Sequence, residues 1–193
     1  MNLPNRLTLL RIFMIPFFIV LMEVNFHLGG FQLGGQEMSI QCVLAAVIFA
    51  VASATDWLDG HLARKNHLIT NFGKFADPLA DKMLVIAALI ELILLDQAPA
   101  WVVTLIVMRE LAVTGLRLLI VEGDGTVLAA AWPGKVKTTS QMLAILFLLL
   151  NDFPFQFLPF SVGKVLLYFA LAATLYSGYD YFRQNKDVFS DGM

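Results

Sequence analysis

The 193-residue chain is apolar at 59% of its positions and charged at only 15%, with a mean hydropathy of +0.75. Soluble domains run near half apolar and a quarter charged, so this composition excludes an ordinary water-soluble domain. A net charge of -2 brings no basic excess for nucleic acid, and a single cysteine, Cys42, excludes an internal disulfide.

A membrane-spanning helix needs about 20 mostly apolar residues. Six segments approach or meet that length: 7–24, 40–60, 76–95, 98–120, 135–151 and 161–183. The first has the hydrophobicity of a signal peptide. It lacks a clear small-residue cleavage site and is followed by further spans, so it is expected to be a retained helix. It opens Asn2-Leu3-Pro4-Asn5-Arg6-Leu7-Thr8-Leu9-Leu10-Arg11. A break at His27–Ser39 holds Gly29-Gly30 and Gly34-Gly35.

The second span begins as hydrocarbon, Ile40 to Ala54, and ends Asp56-Trp57-Leu58-Asp59-Gly60-His61-Leu62-Ala63-Arg64. The third begins Gly73-Lys74-Phe75-Ala76-Asp77-Pro78-Leu79-Ala80-Asp81 and ends at a tight turn, Asp96 to Pro99. The fourth holds Arg109-Glu110 and Thr114-Gly115-Leu116-Arg117. Gly123, Gly125, Pro133 and Gly134 mark the next break. The fifth opens Gly134-Lys135-Val136-Lys137-Thr138. Pro154 and Pro159 precede the sixth. No repeat or low-complexity tract interrupts this order. The expected fold is all-α: one polytopic membrane domain over residues 1–193.

Lys and Arg flanks set orientation. One side collects Arg6, Arg11, Arg64, Lys65, Lys74, Arg117, Lys135, Lys137, Arg183 and Lys186, whereas the other has only Lys164 near its third loop. Both termini and the 61–75 and 121–134 loops are therefore expected on the cytoplasmic side.

Polar residues within spans are costly and mark function. On helices, Asp56 and Asp59 stand about 60° apart and Asp77 and Asp81 about 40° apart, so each pair shares a face. A short connection lets the two helix ends meet antiparallel and four carboxylates converge at the cytoplasmic edge. Such a group repels itself unless a cation is present. Oxygen-only ligands suit hard ions, Mg²⁺ or Mn²⁺. Four carboxylates suffice for two metals about 3.5–4 Å apart, the clamp used for displacement at phosphorus. Gly60 and Gly73 leave room for a diphosphate, and Arg64 can neutralise phosphate oxygens. Single aspartates at span ends are commonly mere interfacial residues; two helical pairs flanking one loop are not explained that way.

Residues 56–81 read D-x2-D-G-x2-A-R-x8-G-x3-D-x3-D, which resembles the signature of the CDP-alcohol phosphatidyltransferases without departure. The resemblance implies six helices around a polar cavity open to the cytoplasm, in a homodimer. It implies metal ligation by Asp56, Asp59, Asp77 and Asp81, with Asp81 also the general base on the acceptor hydroxyl. Gly60, Arg64 and Gly73 are then expected along the CDP moiety of CDP-diacylglycerol. The amino terminus resembles the family's P-N-x-L-T-x2-R start, which implies that Asn5, Thr8 and Arg11 help hold the donor. A helix start with flanking arginines is the plainer explanation of the same residues.

Arg109 and Arg117 lie about 80° apart and about 12 Å along the axis. An arginine ten residues into an apolar span needs a carboxylate, a phosphate or a water-filled cavity. Glu110, adjacent in sequence, is expected on another face, paired with a neighbouring helix. Arg109, Arg117, Lys135 and Lys137 exceed what inositol, serine or choline would require and suit an acceptor carrying phosphate. The lysines alone would also serve as ordinary positive flanks. The R-E-x3-T-G-x-R and G-K-x-K-T blocks resemble those of family members that use glycerol 3-phosphate. The implied reaction joins CDP-diacylglycerol and sn-glycerol 3-phosphate into phosphatidylglycerol phosphate and CMP, in a bacterial cell membrane. Alternatives are a cardiolipin or phosphatidylserine synthase of the same family, or a cation-coupled transporter. Against the transporter, the acids cluster at one edge and no pair of broken helices repeats.

Overall fold

The computed structural model describes the backbone of residues 3–33, 36–65, 71–122 and 132–185. Within these, side chains are described except at 3–7, 33, 36, 56–65, 71–78, 81, 118, 119, 121, 122, 132 and 133. The described residues form six α-helices: α1 (Leu3–Glu23), α2 (Ile40–Lys65), α3 (Asn71–Leu94), α4 (Ala100–Glu122), α5 (Trp132–Leu149) and α6 (Val162–Gln184). Each coincides with one of the apolar segments read from the sequence.

Two differences are instructive. The break after α1 is not only turn. It contains a two-stranded antiparallel hairpin, β1 (Gly30–Leu33) and β2 (Gln36–Ser39), with Phe31 opposite Met38. Its central glycines, Gly34 and Gly35, lie outside the described residues. The segment 61–75, expected as a loop, is largely helix: α2 continues to Lys65 and α3 already starts at Asn71. Hydropathy reports where apolar residues stop, and α2 continues past that point because Leu62, Ala63, Arg64 and Lys65 are good helix formers.

Contacts between helices order them end for end. Gln41, at the start of α2, donates to the carbonyls of Leu21, Met22 and Val24, the last two at 3.1 Å, and so caps the end of α1. This satisfies carbonyls that a helix terminus leaves unpaired and sets α1 and α2 antiparallel. Asp96 takes a left-handed backbone, φ 56°, just past α3, and the Gln97 and Ala98 N–H groups return to the Leu92 carbonyl. That turn folds α4 back on α3. Gly163 lets the start of α6 approach the end of α5, since a Cβ there would lie 2.7 Å from Leu148. Ser161 caps α6 by accepting from the Lys164 N–H at 3.1 Å.

Asn151 joins three loops at one end of the bundle. Its side chain accepts from Gln97 Nε2 and donates to the Glu37 carbonyl of the hairpin, both at 3.1 Å. The aspartate-bearing stretches of α2 and α3 lie toward the opposite end. Between the ends runs a continuous apolar core, including Phe18, Phe49, Leu84, Leu89, Ile106, Ile145, Leu148 and Leu167. The outer faces are apolar as well: Phe13, Phe17, Met108, Leu111 and Tyr179 are all exposed.

Among the described residues, α6 is the helix long and apolar enough to cross a membrane by length and composition alone. α4 is as long, but carries Arg109, Glu110 and Arg117 within its span.

Candidate functional site

Asp56 and Asp59 lie on α2, and Asp77 and Asp81 on α3, all within regular helix. The i, i+3 and i, i+4 phases inferred from the sequence therefore hold at the backbone, and α2 packs against α3. Gly60 and Arg64 share α2 with the first pair, and Gly73 begins α3 ahead of the second. The side chains of these residues, and of Asn5 on α1, lie outside the described set. Carboxylate oxygens are the donors that hard divalent cations take. Among the described residues no group of three or more His, Cys, Asp or Glu is placed to hold a metal ion.

Arg11 and Thr8 are fully buried on α1. Arg11 Nε donates to the Ala52 carbonyl at 3.3 Å, and Thr55 Oγ1 donates to the same oxygen at 2.7 Å. Ala52 is one helical turn before Asp56. A fully buried guanidinium is retained only with polar partners, so Arg11 is fixed beside the acidic end of α2 rather than flanking the bundle.

The basic residues divide between two faces. Lys137, on α5, lines a cleft between α3, α4 and α5, together with Lys82, Glu110, Thr138 and Gln141 over an apolar floor that includes Val85 and Ile106. The cavity itself is small, about 30 Å³. Lys82 was not singled out from the sequence. Its ammonium contacts Thr114 Oγ1 on α4, and its position directly after Asp81 was the available signal.

Arg109 instead faces α6. Its Nη2 donates to Ser177 Oγ at 2.7 Å, and a Cβ at Gly178 would lie 3.0 Å from its Cγ and Nε. Arg117 also turns to α6, with its guanidinium carbon 5.5 Å from the centre of the Tyr181 ring, within cation–π range. Lys135 is exposed. It stands two residues from Lys137, about 160° around the helix, and does not line the cleft.

Glu110 connects the two faces. Its Oε1 receives Lys137 Nζ from α5 and Arg109 Nη1 at 3.1 Å. The pairing with a neighbouring helix agrees with the sequence reading. The pairing with Arg109 corrects it: successive residues on a helix point about 100° apart, but the long arginine stem lets its guanidinium curl back to the adjacent carboxylate. All three side chains are largely buried, at 12%, 13% and 10% exposure for Arg109, Glu110 and Lys137.

The bundle therefore brings helical aspartate pairs and several cations toward one end. Such an arrangement can hold metal ions beside a phosphate-bearing substrate. Comparison with known proteins identifies the family. Residues 1–176 match the family model for CDP-alcohol phosphatidyltransferase. A Bacillus subtilis protein named CDP-diacylglycerol–glycerol-3-phosphate 3-phosphatidyltransferase is 48% identical over 187 residues, covering 97% of this chain and 96% of that protein. Proteins of the same name from Sodalis glossinidius and Haemophilus influenzae are 36% and 35% identical, over 98% and 100% of this chain and 98% and 97% of their own lengths. On a motif without departures, a helical bundle that carries it, and a family match along nearly the whole chain, this protein belongs to the CDP-alcohol phosphatidyltransferase family.

Proposed function

We propose that this chain transfers the phosphatidyl group of CDP-diacylglycerol to sn-glycerol 3-phosphate, giving phosphatidylglycerol phosphate and CMP. The observation that carries the acceptor is the joining of Lys137 and Arg109 through Glu110 beside a cleft that Lys82 also lines. A neutral alcohol does not call for that many cations, whereas a phosphate monoester does. The relatives' names point to the same acceptor.

In this reading the whole chain is one membrane domain of six spanning helices. Outward apolar side chains such as Phe13, at 72% exposure, and Tyr179, at 67%, support it. The positive flanks put both termini and the aspartates on the cytoplasmic side of a bacterial membrane. Cysteines introduced at Asn66 and Gln36 should label from opposite sides with an impermeant thiol reagent; labelling from the same side would sink the orientation. The family resemblance supports a homodimer, which cross-linking in native membranes would test.

Asp56, Asp59, Asp77 and Asp81 are the residues to hold two divalent cations, Mg²⁺ or Mn²⁺. Held there, such cations would supply Lewis-acid polarisation of the diphosphate and charge stabilisation for departing CMP. Asp81 accepts the proton of the attacking hydroxyl. Asn5, Thr8, Arg11, Gly60, Arg64 and Gly73 hold the donor. Arg109, Arg117, Lys135 and Lys137 attract the acceptor phosphate, with Lys137 nearest the cleft. A site at the interface lets the lipid arrive laterally while soluble acceptor and CMP exchange with the cytosol.

The test is CMP release by purified protein across a panel of acceptors. Glycerol 3-phosphate should be preferred over glycerol, serine, inositol and phosphatidylglycerol. Equal release with serine or inositol would reassign the acceptor within the family.

A further inference from the structure

Glu110 has no role in the reaction as proposed, yet it is the acidic side chain that lines the cleft among its described residues. A carboxylate at 13% exposure within a spanning helix is retained only with partners. One of its oxygens serves two cations from two helices, Arg109 of α4 and Lys137 of α5. Lys82 lines the same cleft. Two arrangements could give this geometry. Glu110 could stand in for the acceptor phosphate and leave when it arrives, or it could stay and hold the cations in place.

Geometry favours the second. Arg109 and Lys137 reach the same oxygen of Glu110 from two helices. Arg109 is also held at its other edge by Ser177 and backed by Gly178. Its guanidinium is thus held through two nitrogens, one by α6 and one by Glu110. Without the carboxylate, Arg109 and Lys137 would repel each other in surroundings that screen charge poorly.

We propose that Glu110 is a positioning residue for the acceptor. It holds Lys137 at the cleft, ties it to Arg109 behind, and does not touch the reacting atoms. The proposal rests on glycerol 3-phosphate being the acceptor.

The experiment is steady-state CMP release by the full-length protein in lipid–detergent micelles, with thermal unfolding followed in the same micelles. Glu110→Gln keeps shape and removes charge. Its KM for glycerol 3-phosphate should rise about 10- to 150-fold, as for loss of a hydrogen bond to a charged group. Its KM for CDP-diacylglycerol should stay within about twofold, and kcat at saturating acceptor should change little, the pattern of lost acceptor binding. Glu110→Asp keeps the charge on a shorter stem and should recover part of the loss. If Glu110→Gln does not fold, Glu110→Asp still tests the idea through a smaller rise confined to the acceptor.

A lower KM for glycerol 3-phosphate in Glu110→Gln would overturn the proposal and make Glu110 a displaced stand-in. Equal rises in both KM values, together with a lower unfolding temperature, would overturn it in favour of general helix packing. If the parent protein does not prefer glycerol 3-phosphate to glycerol, the acceptor reading itself fails, and this is seen before any variant is made.

Discussion

Arg109 Nη2 lies 2.7 Å from Ser177 Oγ, so the most deeply placed arginine of α4 is held by α6. The neighbouring Gly178 leaves room for the arginine stem, because a Cβ there would come within 3.0 Å of Cγ and Nε. Together they form a wall that aims the guanidinium at Glu110. Ser177→Ala should raise the KM for glycerol 3-phosphate by about 10-fold, given what a hydrogen bond to a charged group contributes. Gly178→Ala should act in the same direction by crowding the stem below ordinary carbon contact distance. Unchanged acceptor KM in both variants would remove Arg109 from acceptor binding.

The division of basic residues predicts unequal effects from two lysines only two positions apart. Lys137 lines the cleft and pairs with Glu110, whereas Lys135 is exposed. Lys137→Ala should cost roughly 10- to 150-fold in acceptor KM. Lys135→Ala should cost much less, as expected for a cation screened by water. Measuring both KM values for the two variants checks this. Equal losses would mean that both lysines reach the acceptor.

Replacing any of Asp56, Asp59, Asp77 or Asp81 by Asn keeps the shape and removes a charge. Activity should fall at least about 100-fold, since bound metals contribute several kcal/mol of transition-state stabilisation. A chelator should abolish turnover of the parent protein, and Mg²⁺ or Mn²⁺ should restore it. Near-normal turnover of Asp81→Asn would remove it as the base.

A contrasting prediction concerns the end of the bundle remote from the aspartates. A Cβ on Gly163 would meet Leu148 at 2.7 Å and Asp152 Oδ1 at 3.0 Å, and that same oxygen accepts from the Gly163 N–H at 2.6 Å. Gly163→Ala should destabilise by about 1–3 kcal/mol, the usual cost of overpacking. The readout is a lower unfolding temperature in detergent with both KM values unchanged. A shift in acceptor KM without a stability change would contradict this purely packing role.

All six helices were legible because their signal is local. Each is a long apolar run bounded by Gly, Pro, Asn or Asp, and hydrophobicity alone drives such a run out of water. The facing of Asp56 with Asp59 and of Asp77 with Asp81 was legible for the same reason, since helical phase depends only on spacing. The helical extensions at Lys65 and Asn71 were not, because polar residues give no hydropathy contrast at a helix end.

The partners of charged side chains were decided by packing between helices. Spacing placed Arg109 and Lys137 near one end of the bundle, but Glu110 bridges them only because the Lys137 side chain reaches from α5 to α4. Arg109 faces α6 only because Ser177 and Gly178 leave it a polar contact and a gap. Arg11 reads in the sequence as a donor contact or a flanking charge, and α1 packs so closely on α2 that it is buried against the Ala52 carbonyl. Long side chains have several torsions and reach beyond their own helical face, so their partners depend on which helices lie within that reach. Sequence spacing specifies direction around one axis; the distance between two axes exists only in the folded bundle.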